Sequence, residues 1–251
     1  MTKRLIKILS ILNSVLLPFL IKAQEAKPYQ IAENNVIIRF AEKREESAAR
    51  EIAMIAANAR LQLTEKYQLA MAAPVEIRLS ATTYEFCQVT GRPWWQASIY
   101  RGHVIYLQPI RVLRERGILE TTLRHELVHQ LIDEHGKGNS PAWFSEALAI
   151  YHSGEIVFLK PLQKKIDPEE LKWFRLEKRL KATTNKAQAE RLYFQLYHLG
   201  HFLENNFTAE QRRILLAELA QKTSFELACD RAFGVNAIEL EQRWLSHWTK
   251  R

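Results

Sequence analysis

"ILETTLRHELVHQLIDEHGKGNSPAWFSEALAIYH", residues 118–152, contains two helical patterns and the break between them. Leu119, Leu123, Leu127 and Leu131 recur at four-residue steps, the stripe of a helix that buries one face. His125 and His129 share that spacing, so their imidazoles leave one side of the helix a turn apart, separated by about 40° around the axis. Gly136, Gly138 and Pro141 interrupt the pattern. Ser140 then offers a cap, and Pro141 a first helical position, for a second helix over 140–152. Six residues lead from His129 out to His135, and six lead back from Ser140 to Glu146. At about 1.5 Å of rise per residue, an antiparallel return sets Glu146 level with His129.

Two imidazoles and a carboxylate that converge are ligands for a divalent cation, and zinc suits that donor set. His125, Glu126 and His129 spell H-E-x-x-H. In that pattern the histidines hold one zinc ion. Glu126, about 100° around the helix from His125, stands beside the ion and can take a proton from water. Three protein ligands leave one position open, as a catalytic site requires; structural sites close all four.

His135 competes with Glu146 as third ligand, at the spacing of H-E-x-x-H-x-x-G-x-x-H. That longer pattern needs a glycine to turn the chain back towards the metal. Ile132 stands there instead, a β-branched residue unsuited to a left-handed turn. A helix that continues carries His135 about 9 Å along the axis from His129. The methionine turn of that class also has no counterpart, because the only methionines are Met1, Met54 and Met71. The metal ligands expected are therefore His125, His129 and Glu146.

Upstream, "VIIRF" (36–40) is a β-branched run and "VEIRL" (75–79) alternates like a half-buried strand. Residues 44–68 between them have the composition and period of a long amphipathic helix. "TTYEFCQVTG" reads as a short helix closed by Gly91, and 92–109 as a loop followed by a hairpin or edge strand around Arg101-Gly102. Downstream the pattern is helical. Asp167-Pro168 signals a start, and Thr208 with Gln211 and Asn236 with Glu239 have capping-box spacing. The expected class is α+β: a small mixed sheet with an edge strand over a cleft, the two ligand helices, and a helical C-terminal half. In segments this gives 24–35 as a flexible lead-in, 36–155 as the α/β part and 156–251 as the helical part.

The first 23 residues stand apart. A basic head, the apolar stretch 8–21 and a small residue at Ala23 are laid out as a secretory signal peptide, which implies export to the periplasm or the exterior. The apolar stretch is too short to span about 30 Å of hydrocarbon comfortably, so no stable membrane span is expected after processing. Cleavage removes four positive charges and no acids from a formal +8, leaving +4. A surplus that mild, with no Lys/Arg block and no Gly-rich phosphate loop, excludes nucleic acid as the expected partner; a monomer is favoured. Cys87 and Cys229, two cysteines far apart among apolar neighbours, read as buried thiols at least as well as a bridge, and not as metal ligands.

"TLRHELVHQLIDEH…SPAWFSEALAIY" resembles the gluzincin metallopeptidases, most closely the compact peptidase-MA-like group, whose H-E-x-x-H is followed by W-x-x-E. The resemblance spans roughly residues 36 to 248 and implies a zincin-like fold. It also implies His125, His129 and Glu146 as zinc ligands and Glu126 as general base in the hydrolysis of peptide or protein substrates. Two positions depart from the family pattern. Ala147 replaces the usual glycine, and Ile150 stands where aminopeptidase-type members carry an aspartate, so the carboxylate orienting a ligand histidine must come from elsewhere; Asp133 is one candidate. The family's oxyanion-stabilising phenol is best matched by Tyr193, with Tyr197, Tyr151 and His201 as rivals and His198 nearby. Trp94, Trp95 and Tyr100 are expected at the rim, "HVIYL" as the strand that pairs with substrate, and Trp143 between the two ligand helices. Other readings are hydrolysis of a non-protein amide such as a cell-wall peptide, or a catalytically silent binding module.

Overall fold

The structure, a computed structural model, describes residues 29–159 and 166–249; the leader read at 1–23 lies outside the described residues. In chain order the strands and helices are β1 (Tyr29–Glu33), β2 (Val36–Phe40), α1 (Glu46–Tyr67), β3 (Val75–Leu79), α2 (Thr83–Thr90), β4 (Ser98–Arg101), β5 (Val104–Leu107), α3 (Ile110–Glu115), α4 (Leu119–Gly136), α5 (Ala142–Ser153), α6 (Trp173–Ala182), α7 (Lys186–Asn206), α8 (Ala209–Ala220), α9 (Phe225–Phe233) and α10 (Ala237–Thr249). The class is α+β, a small five-stranded mixed sheet followed by a helical C-terminal half.

The sheet order is β1-β2-β3-β5-β4, with β2, β3 and β5 parallel and the two edge strands antiparallel to their neighbours. Ile38, Ile77 and Ile105 fall in register and are fully buried, the β-branched row that a covered parallel core requires. Residues 29–33, expected as part of a flexible lead-in, instead form β1. Only Ile31 of that strand is buried, so an edge strand showed little alternation to read. The signal lay in Asn34-Asn35, whose φ values of 52° and 61° make the two-residue turn that asparagine tolerates.

A second correction concerns the strand expected at the edge of the sheet. "HVIYL" supplies β5, which lies inside the sheet between β3 and β4, and the free edge belongs to β4. Gly102 and His103, at φ 59° and 66°, form the tight turn that folds β4 outside β5.

α4 runs through the middle of the molecule, with α1 and the edge strand β4 packed against it before the chain enters α5, and with α5 and α8 against it afterwards. Leu123, Leu127 and Leu131 are fully buried, and burial of a leucine contributes about 1.5–3 kcal/mol. Arg60 on α1 is buried beside α4. It donates to Gln130 Oε1 at 2.8 Å and to the carbonyls of Met71 and Ala73 at 2.6 and 2.8 Å, tying α1 and the 71–73 loop to α4. One hydrophobic cluster extends from Ile31 to Trp244, so the helical half shares its core with the sheet rather than building a separate one.

Ser140 does not cap α5: its hydroxyl has no hydrogen-bond partner among the described residues. Glu177 from α6 accepts the Trp143 N–H at 3.1 Å instead, so the cap is tertiary. Trp143 is buried near the start of α5. It stacks on Trp173 of α6 with centroids 4.6 Å apart and meets Phe225 of α9 edge-on, anchoring α5 to the back half. Thr208 forms the reciprocal box with Gln211, and Asn236 caps α10 by accepting from Glu239 N alone. Asp167-Pro168 opens only a short 3₁₀ turn. Cys87 and Cys229 are free thiols, and only Cys229 is buried.

Gly200 decides how closely α5 and α7 approach. A Cβ there would sit 2.2 Å from the Ala147 carbonyl oxygen and 2.7 Å from Tyr151 Cβ, so the backbones touch one residue past Glu146. Alanine is the better helix former by about 0.5–1 kcal/mol, but the obstacle is backbone and cannot step aside. Gly200→Ala is therefore expected to destabilise by about 1–3 kcal/mol net, seen as a lower Cm in urea at unchanged m-value. A rise in Cm would show that this approach is not tight.

Candidate metal centre

α4 and α5 bring three side chains together. His125 Nε2 and His129 Nε2 are 3.1 Å apart, and Glu146 Oε2 and Oε1 lie 3.5 and 3.6 Å from them. One atom from each of the three residues lies within 4.8 Å of the other two, a group able to hold a metal ion. A tetrahedral ion with ligands at about 2.0–2.2 Å has them about 3.3–3.6 Å apart; the two imidazole nitrogens are slightly closer than that, and each faces its own oxygen of the Glu146 carboxylate at about that distance. Glu146 Oε2 is buried and has no hydrogen-bond partner among the described residues, with His125 Nε2 at 3.5 Å, so it is an acceptor free to meet an ion. The arrangement fits the group it would hold.

The electrostatics point the same way. Burial disfavours charge on His125, yet Glu155 and Glu146 outweigh it and raise its pKa well above the ordinary imidazole range. Burial pushes His129 down, and the neighbouring His125 charge adds to that despite Glu146. Burial opposes ionisation of Glu146, but His129 and His125, helped by Arg92, hold its carboxyl at about 2. Positive charge is favoured where the three side chains meet.

The far nitrogens are fixed as well. His125 Nδ1 donates to Glu155 Oε1 at 3.0 Å, and His129 Nδ1 lies 2.7 Å from Ser145 Oγ, which aims both Nε2 atoms inward. Neither partner was read from the sequence. Glu155 reaches His125 because Gly154, at φ 77°, ends α5 and turns the chain into a 3₁₀ turn at Glu155–Phe158. Ile150 is fully buried, so the orienting carboxylate comes from nine residues past Glu146 rather than four. Asp133, the candidate for this task, serves elsewhere and accepts the Tyr100 hydroxyl at 2.8 Å.

Glu126 lies beside the centre and is held by the edge strand: Ser98 Oγ donates to Oε1 at 2.5 Å and Tyr100 N–H to Oε2 at 2.7 Å. His135 is turned away. α4 continues through it, and its Nε2 donates to the Ala70 carbonyl at 2.9 Å.

A cleft of about 940 Å³ opens over the group, lined by His125, Glu126, His129, Glu146, Tyr100 and Tyr193 among others. Tyr193 shares the face of α7 that carries Gly200, two turns away, and so enters the cleft. Burial, with Glu146, Glu155 and Glu126 nearby, raises its phenol well above the ordinary range, so it stays a donor. Its rivals lie outside the cleft, with Tyr151 against Tyr197 and His201 and with His198 against Trp248. Trp95 and Tyr100 line the cleft; Trp94 is 68 % exposed and does not. Comparison of the sequence with protein-family models and with curated proteins finds no match.

Proposed function

We propose that this chain is a zinc-dependent metallopeptidase of the gluzincin type, with a zincin-like arrangement of edge strand, H-E-x-x-H helix and returning glutamate helix. One observation carries the reading: His125, His129 and Glu146 come together from α4 and α5 in the lining of a cleft, with Glu126 beside them. Two imidazoles and a carboxylate are borderline-soft donors that suit zinc better than the hard cations magnesium and calcium.

A bound zinc ion supplies Lewis acidity towards a carbonyl oxygen and lowers the pKa of water to about 7. The protein does the rest. Glu126, oriented by Ser98 and Tyr100, takes the proton of the attacking water and returns it to the departing amine. Tyr193 donates its hydroxyl to the oxygen that gains charge. β4, exposed along the cleft, is the edge on which an extended substrate lies. The leader read at 1–23 directs this activity outside the cytoplasm.

The test is hydrolysis of a quenched-fluorescence peptide library. Turnover is expected to fall to background with a chelator and to return with about one zinc per chain. Failure of the zinc-loaded chain to cut any peptide would falsify the reading.

A further inference from the structure

We infer that Arg92 and Arg116 form a carboxylate-recognising pair at the mouth of the cleft, selecting peptides that bear a free carboxylate close to the bond cut. The inference rests on the peptidase reading above and names its substrate class. Arg92 opens the loop of residues 92–97 that feeds β4, Arg116 lies against the same loop, and both residues line the cleft. Arg116 reaches the Trp95 carbonyl at 3.4 Å, and neither arginine has an acidic partner among the described residues.

The other charges on the wall are committed. Lys181 is paired with Glu177 at 3.0 Å and Lys186 with Glu190 at 3.8 Å, while Asp133 holds Tyr100. Glu126, Glu146 and Glu155 serve the centre itself. Arg92 lies near enough to the centre for its charge to act on both Glu146 and Tyr193. A planar guanidinium fork matches a carboxylate through two parallel hydrogen bonds and is less costly to desolvate than an ammonium.

The carboxylate can come from a chain terminus or from an Asp or Glu side chain, and matched peptides separate the two. One pair differs only in a free or amidated C-terminus, and the other in Glu or Gln next to the scissile bond. With zinc-loaded full-length protein, one of the acidic peptides is expected to exceed its neutral partner in kcat/KM by about ten- to a hundredfold. Arg92→Gln should erase most of that ratio and Arg116→Gln a smaller part. Binding of the same peptides to Glu126→Gln, followed by fluorescence anisotropy, should give the same ranking without turnover. Peptides cut with no acid preference, or a preference that survives both arginine substitutions, overturn the inference and leave the peptidase reading standing. An equal loss on acidic and neutral peptides in Arg92→Gln marks a structural role and also overturns it. If nothing is cut or bound, both fall.

Discussion

Glu126→Gln is expected to lower kcat by about a hundred- to ten-thousandfold while the protein keeps its metal and its fold. The substitution is close to isosteric, and the surroundings can satisfy the amide. Its oxygen accepts the Tyr100 N–H in place of the carboxylate, and its NH₂ donates to Ser98 once that hydroxyl rotates. Little packing or desolvation energy changes. What disappears is the ability to take a proton from water and return it, so the loss falls on kcat rather than on stability or metal content. Kinetics and metal analysis on one preparation decide the matter. Activity within a few-fold of wild type would remove Glu126 from the mechanism, and loss of the metal would give it a structural role.

The second large effect is on metal binding. Glu146→Ala is expected to leave the chain without stoichiometric zinc after dialysis, because two neutral imidazoles alone remain and the one anionic ligand is gone. His135→Ala should bind zinc like wild type, since its ring is spent on the Ala70 carbonyl. Glu155→Ala should fall between them, weakening affinity by about 10–100-fold through a His125 left free to turn. Zinc retained by Glu146→Ala, or lost from His135→Ala, would sink the ligand assignment.

Local rules carried much of this chain. The leucine period placed α4, glycines and proline placed the break after it, and equal residue counts out and back placed Glu146 opposite His129. Those inferences succeed because helix rise and turn are properties of the backbone, set within a few residues. Rejecting His135 needed only the absence of a glycine at Ile132, and the helix does run on through it.

Failures came where the deciding partner lay far away in sequence. Ser140 looked like a cap, but Glu177 had the better approach to the Trp143 N–H. "HVIYL" looked like a free edge because the β4–β5 turn leaves no sequence sign of which strand ends up outside.

By itself the sequence determined the two helices, their antiparallel return and the three side chains they bring together, because spacing along a helix is fixed by backbone hydrogen bonds. Only the tertiary structure decided what surrounds them: Glu155 and Ser145 behind the imidazoles, the edge strand holding Glu126, the close approach at Gly200, and Tyr193 rather than its neighbours in the cleft. Such contacts join residues tens of positions apart, and packing of the whole core selects among the many pairings that local chemistry allows.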